Sequence, residues 1–98
     1  MDRDQIIEIL RAHRPLLQER GVNHAALFGS VARGEQGPNS DIDILIDIGD
    51  RPDLDVYQYV GLQDYIAELF DGPVDVVSRQ GLKDYVRSSV LADAVYAF

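Results

Sequence analysis

Gly29-Ser30 and Asp41-Ile42-Asp43, ten residues apart, constrain this chain more than any other feature. The first pair ends an apolar run, Ala25-Ala26-Leu27-Phe28, and opens a short helical pattern, Val31-Ala32-Arg33. The second pair opens Ile42-Asp43-Ile44-Leu45-Ile46-Asp47, where alternation puts Ile42, Ile44 and Ile46 on one face of a strand and Asp41, Asp43, Leu45 and Asp47 on the other. A fold that holds both must bury the isoleucine face and leave the aspartate face able to bind.

Around these segments the periodicity predicts helices and one further strand. Ile6, Ile9 and Leu10 recur at helical spacing between Asp2 and Ala12, Pro15 interrupts that helix, and Leu16 and Leu17 resume it until Gly21. Val22 to Phe28 reads as the first strand, and Gly37, Pro38 and Asn39 mark the loop before the second. A turn over Gly49 to Pro52 leads to a helix over Leu54 to Phe70, with Tyr59, Leu62, Ile66, Leu69 and Phe70 on one side. Gly72-Pro73 ends it; Val74 to Ser78 is a third strand and Gln80 to Asp93 a last helix. The tail Ala94 to Phe98 is either a final strand or an apolar edge awaiting a partner. This order gives a small sheet covered by helices. Periodicity does not set the strand directions.

At 98 residues the chain is expected to form one domain, residues 1–98. It has no run of about 20 apolar residues to span a bilayer, no signal-peptide pattern and no cysteine, so a soluble, cytoplasmic protein with no membrane association is expected. With 17 acids against 9 Lys and Arg the formal charge is −8, which argues against stable binding of a polynucleotide. A nucleotide carried with magnesium, or a basic protein partner, fits that charge. So does a surface that is acidic only for solubility.

A glycine after a strand lets the backbone come close to a ligand, and the following helix start offers amides to phosphate. By itself Gly-Ser is also an ordinary turn. Aspartates two apart on a strand project the same way and suit magnesium, although a solvated acidic face would look alike. Aspartate is disfavoured in strands, so the pair asks for a reason. Asp75, between Val74 and Val76, is a third candidate, because an unpaired carboxylate there would be costly to bury.

Together these segments resemble the DNA polymerase beta-like nucleotidyltransferase superfamily, and within it the minimal nucleotidyltransferases that act as antitoxins beside HEPN-type toxins. The resemblance rests on Leu-Phe-Gly-Ser-Val-Ala-Arg-Gly-Glu, Ser-Asp-Ile-Asp-Ile-Leu-Ile and Val74-Asp75-Val76-Val77, and spans nearly the whole chain. It implies an α/β (α+β) nucleotidyltransferase fold, a small mixed three-stranded sheet flanked by about four helices. It also implies an enzyme that transfers AMP from ATP to a hydroxyl of the toxin. Gly29 and Ser30 would bind the terminal phosphates, and Asp41, Asp43 and Asp75 would be catalytic and ligate two magnesium ions. Asp75 would further help deprotonate the attacking hydroxyl.

Other readings stay open. Arg33 could reach the triphosphate, or pair with Glu35 or a sheet-end carboxylate. Arg79, Lys83 and Arg87 could form a basic stripe on the last helix that docks phosphate or a partner, or is simply solvated. His13 and His24 read as structural, and the five tyrosines as mostly half-buried packing groups. Because members that modify small molecules or RNA carry extra acceptor domains, the acceptor is expected to be presented by another protein or by another subunit of a homo-oligomer. The alternatives are a binding module that neutralises its partner by occlusion, and transfer to a small molecule or RNA end.

Overall fold

The computed structural model describes residues 1–35, 37, 40–50 and 53–98; the expected loop at Pro38 and Asn39 and the end of the turn at Pro52 lie outside them. Helix α1 (Arg3–Ala12) starts at a capping box in which the Asp2 side chain accepts from the Gln5 amide and Gln5 accepts from the Asp2 amide. It buries Ile6, Ile7 and Leu10, while Ile9, expected on the packed face, is only partly buried. Pro15 falls in the first turn of a separate helix, α2 (Arg14–Glu19), where its missing N–H costs nothing.

Strand β1 (His24–Phe28) runs directly into α3 (Gly29–Ala32), and β2 (Ile42–Asp47) returns antiparallel to it. Helix α4 (Val56–Glu68), begun by a second capping box at Asp55 and Gln58, carries the chain over to β3 (Val74–Ser78). That crossover makes β3 parallel to β2, which a tight hairpin could not do. Arg79–Gly81 form a 3-10 turn, and α5 (Asp84–Asp93) leads to β4 (Val95–Tyr96).

The sheet is mixed, in the order β3-β2-β1-β4. It has four strands rather than the expected three, because the tail pairs Val95 with Leu27 and Tyr96 with Ala26. Three contacts fix that tail. Ala97 is buried, its carbonyl accepts from Arg11 Nε at 2.8 Å, and Arg14 lies over the Phe98 ring. Among the described residues five α-helices flank the sheet, in line with the about four expected.

Ala25, Leu27, Ile42, Ile44, Ile46 and Val76 pack in the core with Ile6, Leu10 and Leu17 of α1 and α2 and with Leu62 and Ile66 of α4. The isoleucine face is therefore the buried one, as the alternation predicts. On the opposite face Leu45 and Ala26 are also buried, so that face is covered except at its aspartate end. Two further expectations change. Arg79 lies in the 3-10 turn and Lys83 is the N-cap of α5, so Arg79, Lys83 and Arg87 do not form a stripe along one helix. Tyr57, Tyr85 and Tyr96 are exposed, and only Tyr59 and Tyr65 are half-buried.

Candidate active site

Phe28 is extended, and Gly29 turns the chain at φ 76°, in the left-handed region that glycine tolerates. The register sets Phe28 beside Asp43, so the turn lands against that aspartate. The approach is close enough that a Cβ on Gly29 would collide with the Asp43 carboxylate oxygen and lie 3.2 Å from its Cγ. Helix α3 follows at once, and the Glu35 amide closes the loop by donating to the Ser30 carbonyl at 2.9 Å. The glycine turn and the second aspartate are thus one structure, although twelve residues separate Ser30 from Asp43 along the chain.

Asp43 also lies directly opposite Asp75 on the neighbouring parallel strand. Partners in a sheet are about 4.8 Å apart and project to the same face. Asp41, two residues before Asp43, is exposed at the mouth of the same face. The carboxyl of Asp43 is pushed above its usual range, first by burial and then by the charges of Asp75 and Asp41, with Arg33 pulling the other way. Among the described residues no group of three or more His, Cys, Asp or Glu side chains is placed to hold a metal ion. The aspartates line a rim rather than close a cage. Their chemistry nonetheless fits magnesium, which takes hard oxygens and usually keeps only one or two carboxylates alongside water and substrate phosphates. A cation beside Asp43 would relieve the repulsion that raises its pKa.

Arg33 leaves the end of α3 and donates from Nε to Glu35 at 2.9 Å and from Nη1 to Asp93 at 2.5 Å. Those two hydrogen bonds raise its pKa further above the ordinary arginine value. The pairing with Glu35 is one of the alternatives the sequence leaves open; Asp93, which ties α5 to α3, is not among them. Nothing in the local spacing announces a partner 60 residues away. Gln80 is likewise unforeseen, donating to Asp47 at 2.7 Å.

Asp47 shares parity with Asp43 but sits at the far end of β2, outside the site. Burial alone would raise its pKa. Gln80, the Gly49 amide, Arg79 at 3.6 Å and His24 outweigh that and lower it. A depressed carboxylate stabilises the fold above its unfolded pKa of about 3.9, and that contribution is lost as pH falls through the folded value. Asp47→Asn is therefore expected to cost about 1 kcal/mol at pH 7. The gap from wild type should close in denaturant titrations between pH 4 and lower values; a gap unchanged across that range contradicts the assignment.

The histidines are structural, as expected. His13 Nδ1 is 2.9 Å from the Tyr65 hydroxyl at the junction of α1 and α2, and His24 stands edge-on to Tyr96. A cavity of about 760 Å³ lies against Gln5, Glu8 and Arg11 of α1, and none of the aspartates lines it. The aspartate site is an open surface, and its importance rests on chemistry rather than on enclosure. No helix among the described residues is long and apolar enough to cross a membrane.

This architecture, with a glycine turn set against a strand aspartate opposite a third acid, is that of a nucleotidyltransferase: residues 4–97 match the nucleotidyltransferase domain family, and the chain belongs to it. It is 38% identical over 94 residues to the protein adenylyltransferase MntA of Thermococcus cleftensis, covering 95% of this chain and 93% of that one. Among solved structures it is similar to a toxin–antitoxin crystallised with AMP-PNP, with a TM-score of 0.70 and 28% identity over 100% of this chain and 73% of the other. A mutant of the MntA–HpeT toxin–antitoxin superposes with a TM-score of 0.66 at 27% identity, covering 98% and 71%. The family anticipated from the sequence is the family found.

Proposed function

We propose that this chain is a magnesium-dependent enzyme that transfers AMP from ATP to a hydroxyl of a HEPN-type toxin in the cytoplasm, silencing it, with residues 1–98 acting as one catalytic domain. The observation that carries this reading is the packing of Gly29 against Asp43, with Asp75 opposite, because it sets a glycine turn at a helix start beside paired carboxylates. Relatives named as protein adenylyltransferase and as toxin–antitoxin pairs support the acceptor class and the nucleotide.

Gly29 and Ser30 hold the terminal phosphates through backbone amides and the serine hydroxyl. Asp41, Asp43 and Asp75 would hold magnesium, which when bound stabilises charge on the attacking and leaving oxygens of an in-line displacement. Asp75, on the sheet's edge strand, faces the acceptor and takes the proton of its hydroxyl. The acceptor oxygen bonds to the α-phosphorus as the bond to pyrophosphate breaks. Arg33, whose charge reaches Asp43, steadies the phosphates when it exchanges a carboxylate for them.

The test is to incubate the chain, its partner toxin and magnesium with ATP labelled at the α or the γ phosphate. Label is expected on the partner from α-ATP only. Label from γ-ATP would mean phosphoryl transfer. A stable complex with no label would mean neutralisation by occlusion, and a labelled small product beside an unmodified partner would mean a diffusible acceptor.

A further inference from the structure

Helix α4 presents Leu62 and Ile66 to the core, yet its outer side is not the polar surface that amphipathicity leads one to expect. Val56, Val60, Asp64 and Glu68 recur every four residues, forming one ridge that is apolar in its first half and acidic in its second. Val56 is 74% exposed, Val60 47% and Tyr57, beside them, 88%. Three large apolar side chains this open on one surface mark an interaction site more often than chance. No lysine or arginine occurs in the helix, and its N-cap is Asp55.

The ridge borders an edge of the sheet. Gln63 of α4 donates to the Val76 carbonyl of β3 at 2.9 Å, and beside it a cleft of about 240 Å³ is lined by Tyr59, Val76 and Leu82. Strand β3 has a neighbour on one side only and carries Asp75. Helix α4 leads into β3 and runs antiparallel to it, with Tyr59 near Ser78 and Gln63 at Val76, so the acidic half of the ridge lies toward the Asp75 end of that edge and the apolar half toward the other end.

We infer that the outer ridge of α4 is the docking surface for the acceptor protein, engaging a segment whose apolar side chains cover Val56, Tyr57 and Val60 and whose flanking lysines or arginines face Asp64 and Glu68. The inference rests on the transfer reading above and names where its partner binds. Charge complementarity selects the occupant: a second copy of a chain with net charge −8 would set acid against acid on this ridge.

The test is calorimetric titration of the partner toxin into wild type, into a Val56→Ser/Tyr57→Ser variant and into an Asp64→Lys/Glu68→Lys variant, at two salt concentrations. The apolar variant is expected to weaken binding about tenfold or more. The charge variant should weaken it at low salt and flatten its salt dependence. Both should keep the wild-type Tm and ATP affinity, since neither touches the core or the aspartates. Wild-type affinity in both variants would overturn this surface and leave the transfer reading standing. Failure of wild type to bind the toxin would overturn the transfer reading and this inference with it. Self-association of wild type that the apolar variant abolishes, with toxin binding unchanged, would make the ridge a self-interface and overturn the inference alone.

Discussion

Asp43→Asn is expected to reduce AMP transfer by on the order of 10³-fold, the scale seen when a group that stabilises transition-state charge is removed. The fold should be no less stable for it. Asp43 is held above its usual pKa by burial and by the charges of Asp75 and Asp41, so the folded protein already works against its ionisation. Replacing the carboxylate by an amide of the same shape removes that repulsion and leaves Ile42 and Ile44 packed as before. Thermal unfolding without magnesium should therefore give a Tm equal to or above that of wild type. Joint loss of activity and stability would mean that Asp43 is a structural residue and that the site lies elsewhere. Full activity would mean that the carboxylates were assigned wrongly.

The second large effect is expected at Gly29, and a natural control accompanies it. Gly29 and Gly34 both have φ near +75°, so alanine at either adopts a left-handed backbone that costs roughly 1–2 kcal/mol. At Gly34 no described residue lies within 4 Å of the added Cβ, and that strain is the expected effect. At Gly29 the same Cβ meets the Asp43 carboxylate, which must move or push the turn away. Gly34→Ala should be destabilised by that ~1–2 kcal/mol yet remain active once folded. Gly29→Ala should lose at least as much stability and also about 10²-fold in turnover, because displacing a reacting group by about an ångström costs that much. Matched stability losses with matched activities would show that the contact between the turn and the carboxylate has no part in catalysis.

Much of this site is legible in the sequence, for reasons that differ by residue. Gly29, Asp41 and Asp43 are legible because a strand's alternation and a glycine's turn are local properties, and the family motif fixes their separation. Asp75 is legible as a lone carboxylate between valines, but it is exposed, so the burial cost expected from the sequence is absent; the parallel β2–β3 register is what sets it opposite Asp43. Asp93 and Gln80 are not, since both act through tertiary contacts that no local pattern encodes. The fourth strand was equally hard to read. Val95 and Tyr96 are too few to show a period of two, and their pairing with β1 is secured by Arg11 and Arg14 from the other end of the chain. The last helix starts later than expected because Ser78 caps the 3-10 turn at Gly81, which breaks the helical pattern after β3.

The exposed ridge of α4 follows the same logic in reverse. A helix with a core-facing side of Leu62, Ile66 and the following Phe70 reads as an ordinary amphipathic element, and only the burial of each side chain reveals that Val56, Tyr57 and Val60 are left outside. Sequence periodicity identifies the face that packs. It says little about what the remaining face is for.

The intact mass of the partner toxin after incubation with this chain, ATP and magnesium tests the central claim most directly. Wild type is predicted to add one or more AMP units to the toxin, and Asp43→Asn to add none while still binding it. An unmodified toxin with wild type, or equal modification with Asp43→Asn, would contradict the account.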